Sequence, residues 1–384
     1  MKIKIFPSID GLDARRWNAM VRDRYPFLRH ELLSAMERHG CGGARAGWIA
    51  RHLGCFDGDE LVGAMPLYEK RNSWGEFVFD HAWAEAFHRA GIAYYPKLVN
   101  AIPFTPASGQ RILTRDDAQS ESGARIVGAL LGGARELMRR GAFSGLHSLF
   151  VADDEFESLR TADAVSRADC QFHWHNRGYE DFEQFLATLK AKKRKNIRHE
   201  RARARASGVA IQRLDGCTAS ARDWDDFSAL YRGIYQRKYG RPAFNRAFFA
   251  EAAVILGEQM QLVIARRDDA AVAAALMYLD DHTLYGRHWG CRETIDCLHF
   301  EACYYQGIEI CIERGLRRFD PGAQGEHKIA RGFAPVRTRS LHWMAQDSFS
   351  RAIEQFVDHE KTGVKQYISA VRRHSPYHRS DAAS

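Results

Sequence analysis

The residues best suited to chemistry crowd into one short stretch, Asp320-Pro-Gly-Ala-Gln-Gly-Glu-His-Lys-Ile-Ala-Arg-Gly-Phe333. It follows an apolar run from Leu316, and loops set on a rigid scaffold are where a fold usually carries its function. Lys328 is the first choice for neutralising a developing negative charge, with Arg331 second; either could instead hold a phosphate. Glu326, His327, Asp320 and, further upstream, Glu301 are the available proton acceptors, in no order that the sequence fixes. Tyr305 could protonate a leaving alkoxide or thiolate. Such an inventory suits general acid–base chemistry on a substrate that develops negative charge. Plainer roles compete: Asp320 as a turn cap and Arg331 as a surface ion pair of little energetic weight.

These residues must be held by something, and the preceding sequence supplies it. Gln261 to Arg266, Val272 to Leu279 and Thr283 to Trp289 read as three strands separated by Asp-Asp turns. A helix from about Leu298 to Arg314 follows, with Phe300, Cys303, Tyr304, Gly307, Ile308, Cys311 and Ile312 at helical spacing. Gly315 suits the position just past its end, and Leu316 to Asp320 returns as a strand. The first half repeats the layout in weaker form. Trp48 to Phe56 reads as a strand, Leu61 to Tyr68 aligns with Ala271 to Tyr278, and a strand Phe77 to Asp80 and a helix Trp83 to Arg89 come next. Pro66 cannot donate to a ladder, so its strand must offer an edge or a bulge. The expected division is two α+β domains, 1–167 and 168–384, with the boundary before a strand Gln171 to His175.

At 384 residues, with 45% hydrophobic and 27% charged residues, the chain has an ordinary globular composition, which excludes a disordered protein. Charge is concentrated. Between Lys190 and Arg205 stand nine Lys or Arg against one Glu, a balance of +8 that equals that of the whole chain. Phe182, Phe185, Leu186, Leu189 and Ile197 place this run on the polar face of one long amphipathic helix, 181–206. Lys192, Lys193, Arg194, Lys195 and Arg198 then form either a solvated face or a ridge that attracts polyanions. Lys193 falls on the apolar side, where it snorkels or reaches into a cleft. The eight cysteines make no CxxC pair, and no segment is long enough to span a membrane, so a reducing, cytoplasmic setting is the simplest reading. Cys170, His173 and His175 complete no four-ligand metal set.

The order strand, turn, strand, turn, strand, helix, strand resembles the core of the Gcn5-related N-acetyltransferase (GNAT) fold, present twice. Two blocks resemble the FemAB-like predicted N-acyltransferases of bacteria. One runs from Trp74-Gly-Glu-Phe-Val-Phe-Asp-His-Ala-Trp83 through Tyr94 to Pro106; the other runs from Tyr285-Gly-Arg-His-Trp-Gly290 through His299 to Gln306 and on to the Gly322 to Phe333 loop. The Lys192 to Arg198 block fits the same family. The resemblance implies tandem GNAT-like domains, each a mixed sheet flanked by helices, and transfer of an acyl or aminoacyl group to an amine, on a peptidoglycan-type or other acceptor. It implies no tightly bound cofactor, with aminoacyl-tRNA or acyl-CoA as co-substrate. In the wider superfamily an Asp-x-Gly-like turn and a Lys-x-x-x-Gly-Phe-like element line the acyl-transfer channel; the matching residues are Asp320, Gly322, Lys328, Gly332 and Phe333. Arg287 and Trp289 join them as substrate-binding residues, and Asp80, His81, Lys97 and Thr105 are expected to line a cleft.

The donor is constrained by what one loop lacks. Coenzyme-A-dependent members cradle pyrophosphate on a glycine-rich loop between strand and helix. Here that position reads Gly290-Cys-Arg-Glu-Thr-Ile-Asp-Cys-Leu298, with two acids and no internal glycine. Aminoacyl-tRNA is therefore favoured over acyl-CoA, and the basic run gains a partner. A non-catalytic module that binds RNA or a cell-wall precursor is the other class of function.

Overall fold

The computed structural model describes residues 1–237, 240–323 and 325–378. The chain divides into two compact units, Met1–Cys170 with Arg337–Gln366, and Gln171–Val336 with the chain from Tyr367 onward. A single cut at 167/168 does not provide for the return of residues 337–366 to the first unit. Its causes are local. Leu341 to Met344 pair antiparallel with Ser148 to Gly145, and Ile353 and Val357 bury against Trp83, Phe87 and Tyr94.

In the first unit, Lys2–Phe6, His52–Asp57, Glu60–Met65 and Leu113–Thr114 make a four-stranded sheet in that order. Gly145–Ser148, Lys97–Asn100, Tyr68–Lys70 and Trp48–Ala50 form a second set of neighbours. The expected single strand from Trp48 to Phe56 is thus two strands, because the chain changes sheet at Arg51. Pro66 stands at the corresponding change between Glu60–Met65 and Tyr68–Lys70, where no ladder bond is asked of it. No strand forms over 77–80. Gly75 (φ 81°) and Phe77 (φ 57°) turn the chain there, and the helix begins at once as His81–Arg89.

The parallel pair of this unit, Lys97–Asn100 with Gly145–Ser148, is joined by the helix Glu121–Arg140, not by the helix at Trp83. Ser120 caps that helix by accepting from Gly123 N–H, Glu121 opens it and Arg139 and Arg140 close it, all in agreement with the helix dipole. Its buried face, Ile126, Val127, Leu130, Leu131 and Ala134, packs on Leu53, Val62 and Leu98.

In the second unit, Ala210–Asp215, Met260–Arg267, Ala270–Leu279 and Thr283–Cys291 pair antiparallel in series. Arg318–Asp320 then adds parallel to Thr283–Tyr285, and on its other side pairs with His175 and Trp174. Ala270–Leu279 is buried at nine successive positions, so both its faces are covered and its sequence shows an apolar run in place of alternation. With the crossover helix this is the strand order expected of a GNAT-like domain.

Two helices depart from the periodicity expected. The crossover is α-helical over Leu298–Phe300, opens into a π turn over Glu301–Tyr305, and resumes as Gln306–Glu313. The extra residue shifts the buried face: Glu301, Ala302, Tyr304 and Tyr305 are buried, while Phe300 and Cys303 are half-buried. Gly307 lets the helix approach Phe319, whose ring would lie 2.4 Å from an added Cβ. The long basic helix expected over 181–206 is two, Phe182–Ala187 and Ala191–Ala206. Leu189 bridges to Tyr377 and the Lys190 N–H donates to the Pro376 carbonyl at 2.9 Å, which holds the chain extended between them.

Candidate functional site

The site of the second unit lies where its parallel strands part. Pairing of Thr283, Leu284 and Tyr285 with Arg318, Phe319 and Asp320 stops at Asp320. At the same level the ladder between Ala270–Leu279 and Thr283–Cys291 skips Arg287, since Met277 faces Gly286 and Leu276 faces His288. A bulge of this kind bends the strand and re-aims a side chain. Beyond Asp320 the chain turns through Gly322, whose φ of 86° and closeness to the Gly286 carbonyl, 3.1 Å from an added Cβ, leave no room for a side chain. Asp320 Oδ1 accepts from Gly322 N–H at 2.8 Å and fixes that turn.

Lys328 reaches back to this turn, its Nζ donating to the Gly322 carbonyl at 2.7 Å. The side chain is 2% exposed. Burial pushes its pKa down to about 8, Arg287 adds to the effect and Asp320 opposes it. The pattern match thus brings Asp320, Gly322, Arg287 and Lys328 together in space.

The other expected bases separate by what they touch. Asp320 is buried and faces His173 at 3.7 Å, whose pKa burial lowers to about 4. It holds the turn. Glu301 is also buried, accepts from Arg201 Nε and Nη2 at 3.0 and 2.9 Å and from Gln306 Nε2 at 2.7 Å. Its role is that of an ion-pair partner, which corrects the expectation of a base. Glu326 is exposed and accepts from Tyr367 OH at 2.6 Å. His327 is exposed beside it, with Nε2 2.8 Å from Tyr304 OH.

Tyr305 is fully buried and donates to Glu200, and burial raises its pKa far above the ordinary phenol value; it is not placed to protonate a leaving group. Glu200 also accepts from Arg331 Nε and Nη2 at 3.1 and 2.8 Å, and the Arg331 guanidinium lies 3.4 Å over the Phe300 ring. Arg331 is therefore a paired cation. Phe333 is fully buried between Tyr304 and Phe319, and Gly332 (φ 93°) accepts from Tyr377 OH at 2.6 Å, so both help to hold the loop in place. Trp289 is half-buried, its ring 5.2 Å from His299. The sequence reading missed Tyr304 and Glu200 as site residues. The one acid inside a run of nine cations was the signal available for Glu200.

Asp80 and Lys97 meet in the first unit. Lys97, fully buried, donates to Glu76 Oε2 at 2.8 Å and to Ser73 Oγ at 3.1 Å, and also bonds Asp80, which Tyr94 OH reaches as well. Burial raises Glu76 to about 7, while Lys97 beside it holds Asp80 well below the usual carboxylate range. Lys70, over the Trp48 ring at 3.9 Å, is lowered by burial to about 7. Asp80 and Lys97 are interior to this cluster, which corrects the expectation that they line an open cleft. Thr105 is likewise buried and donates to Pro103 O at 3.1 Å; His81 is exposed at the start of its helix.

The basic run is sorted by the same means. Arg201 turns inward to Glu301 and Glu309, Arg203 pairs with Asp296, and Arg198 pairs with Glu183. Arg194 is half-buried with Nη1 3.4 Å from the Ala187 carbonyl. Lys192 and Lys195 are exposed, Lys193 half-buried, and none of the three makes an ion pair among the described residues. All three stand in the first turns of Ala191–Ala206, at the positive end of its dipole.

The FemAB-like family, described as peptidoglycan biosynthesis/recognition, matches residues 8–379. The chain belongs to the FemAB-like family. Among solved structures it is similar to FemX, at 11% identity over 92% of this chain and 100% of that one, with a TM-score of 0.51. It is also similar to the C-terminal domain of a putative lysylphosphatidylglycerol synthetase from Agrobacterium fabrum, at 10% identity over 91% and 96% of the two chains, TM-score 0.55. A conserved protein of unknown function from Bacteroides thetaiotaomicron gives 12% identity over 89% and 99%, TM-score 0.51. At these identities the likeness is one of fold, a tandem of GNAT-like domains. None of the curated proteins compared matches the chain. Family membership on this fold supports acyl or aminoacyl transfer as the general class of reaction. Among the described residues no group of three His, Cys, Asp or Glu is placed to hold a metal, and no helix is long and apolar enough to cross a membrane.

Proposed function

We propose that this FemAB-like protein transfers an aminoacyl group from aminoacyl-tRNA to an amine-bearing acceptor of peptidoglycan type, at the second unit's strand opening. The observation that carries the site is Lys328. A lysine buried at the end of a parallel strand pair, on the carbonyl of a left-handed glycine and beside a bulge arginine, is costly to keep unless it serves a charge that comes and goes. Its role is to meet the oxyanion of the tetrahedral intermediate.

Two features of the same unit support this donor. In the loop where a pyrophosphate would sit, Glu293 pairs with Arg267 at 2.7 Å and Asp296 with Arg203, so two of the cations beside it are already engaged, and the loop has no internal glycine to cradle a phosphate. The three unpaired lysines at the start of Ala191–Ala206 instead offer a phosphate backbone a positive helix end.

The test is turnover of labelled aminoacyl-tRNA and, separately, labelled acetyl-CoA by the full chain with a lysine-containing stem peptide as acceptor. Amide should form from aminoacyl-tRNA, and Lys328→Ala should lower kcat by roughly 100-fold or more while tRNA binding persists. Turnover of acetyl-CoA alone would overturn the donor, and undiminished turnover in Lys328→Ala would overturn the site.

A further inference from the structure

Acyl transfer to an amine needs a group to take a proton from nitrogen as the C–N bond forms, and the geometry of the second unit discriminates among the candidates. Asp320 and Glu301 are buried, the first on its turn and the second on Arg201. Glu326 is engaged by Tyr367. Glu326 and His327 are both exposed and neither makes an ion pair among the described residues; of the two, His327 is the one adjacent in sequence to Lys328. Its ring lies over Gly325, whose φ of 111° and absent side chain make the space it occupies. Nε2 is held by Tyr304 OH at 2.8 Å, and Nδ1 has no hydrogen-bond partner among the described residues.

We propose that His327 is the base of the transfer, acting through Nδ1, and that Tyr304 is a positioning residue that fixes its tautomer. The assignment rests on the acyl-transfer reading above. The Tyr304 hydroxyl can donate or accept; in the proposed tautomer Nε2–H donates to its oxygen and the lone pair of the neutral imidazole lies on Nδ1. The acceptor nitrogen attacks the ester carbonyl carbon, the C–N bond forms and the carbonyl π electrons become the oxyanion. Nδ1 takes the proton from nitrogen. Collapse then breaks the carbon–oxygen ester bond, and the imidazolium returns that proton to the leaving ribose oxygen, so His327 ends neutral. The products are an amide and an alcohol, with no other reactant required.

The surroundings suit a base that works near neutrality. Burial lowers the His327 pKa below its ordinary value, and Arg331 and Lys328 on its own element act in the same direction. From the crossover helix it faces Tyr304, His299 and Phe300, with ring centroids at 5.6, 6.3 and 5.7 Å. His299 is itself lowered by burial to about 4 and adds no charge at neutral pH. The π turn Glu301–Tyr305 is what carries Tyr304 to His327 while Tyr305 points to Glu200.

Two measurements on the full chain test this. Nitrogen NMR of histidine-labelled protein should show His327 protonated on Nε2 with Nδ1 bare, and Tyr304→Phe should convert it to a mixture of tautomers. A resting Nδ1–H form, or one indifferent to Tyr304→Phe, overturns the arrangement. With labelled aminoacyl-tRNA and the stem peptide, His327→Ala should lower kcat by roughly 100-fold with KM kept. The acidic limb of its pH profile should disappear, and added imidazole should restore turnover. Tyr304→Phe should lower kcat about tenfold, the loss of one hydrogen bond. If Lys328→Ala abolishes turnover while His327→Ala keeps both its rate and its acidic limb, the base assignment falls and the acyl-transfer reading stands. Absence of turnover in the unmodified protein overturns that reading and the base role with it.

Discussion

Arg201 offers the sharpest test of how the basic segment is divided between interior and surface. It is 8% exposed and binds Glu301 in bidentate fashion at 3.0 and 2.9 Å, with Glu309 taking Nη1 at 2.6 Å. Arg201→Ala leaves Glu309 its second partner, Arg213, but leaves Glu301, 2% exposed, with only the Gln306 amide. An uncompensated buried carboxylate of this kind costs about 3 to 5 kcal/mol. At about 1.4 kcal/mol per factor of ten, that is a rise of at least about 100-fold in local opening. Hydrogen exchange of the amides in Gln306–Glu313 reads it directly, with Lys195→Ala as the control expected to change opening by less than about 0.5 kcal/mol. Removing both charges in Arg201→Met/Glu301→Gln should recover most of the loss, because the penalty belongs to the orphaned charge. A cost below about 1 kcal/mol for Arg201→Ala is what a solvated cation would give, and would refute the inward assignment.

Two further outcomes are expected. Neutralising Lys192, Lys193 and Lys195 together should weaken tRNA binding and reduce the slope of log affinity against log salt by about 2 to 3, read by filter binding across a salt series; an unchanged slope would remove these lysines from the interface. Glu76 has a folded pKa raised from its ordinary value of 4.5 to about 7, so the folded state holds a proton that the unfolded state releases between those values, and its contribution falls as pH rises through that window. Glu76→Gln should therefore flatten the fall in first-unit stability between about pH 5 and 7, measured by urea unfolding at each pH.

The strands of the second unit were legible because each is long, apolar or β-branched and bounded by paired acids, so local chemistry alone marks Met260–Arg267, Ala270–Leu279 and Thr283–Cys291. The closeness of Asp320, Gly322 and Lys328 was legible for the same local reason. Lys328, Gly322 and Asp320 lie within nine residues of one another, and a tight turn brings near neighbours together. What the sequence hid is set by partners distant in the chain. The division of Phe182 to Ala206 into two helices depends on Tyr377 and Pro376, well over a hundred residues away. The helix of the first unit's crossover is well marked by Ser120 and its apolar spacing, yet nothing local says which two strands it joins.

The charges show the limit most clearly. A sequence displays the sign of every side chain but not its partner, and in a low-dielectric interior the partner decides the role. Glu301 reads as a base until Arg201 is seen to hold both its oxygens; Arg331 reads as a free cation until Glu200 does the same to it. Once these pairs are subtracted, the ionisable groups left around the strand opening include a buried lysine on a glycine carbonyl and, on the surface beside it, Glu326 and His327. His327 and Lys328 are adjacent in sequence, and the short 3-10 helix Glu326–Arg331 sends their side chains apart, Lys328 inward and His327 outward. Under the proposed transfer, the cation that meets the oxyanion and the base that meets the amine would come from this one turn of backbone, and losing either without the other is what the Lys328→Ala and His327→Ala comparison reads.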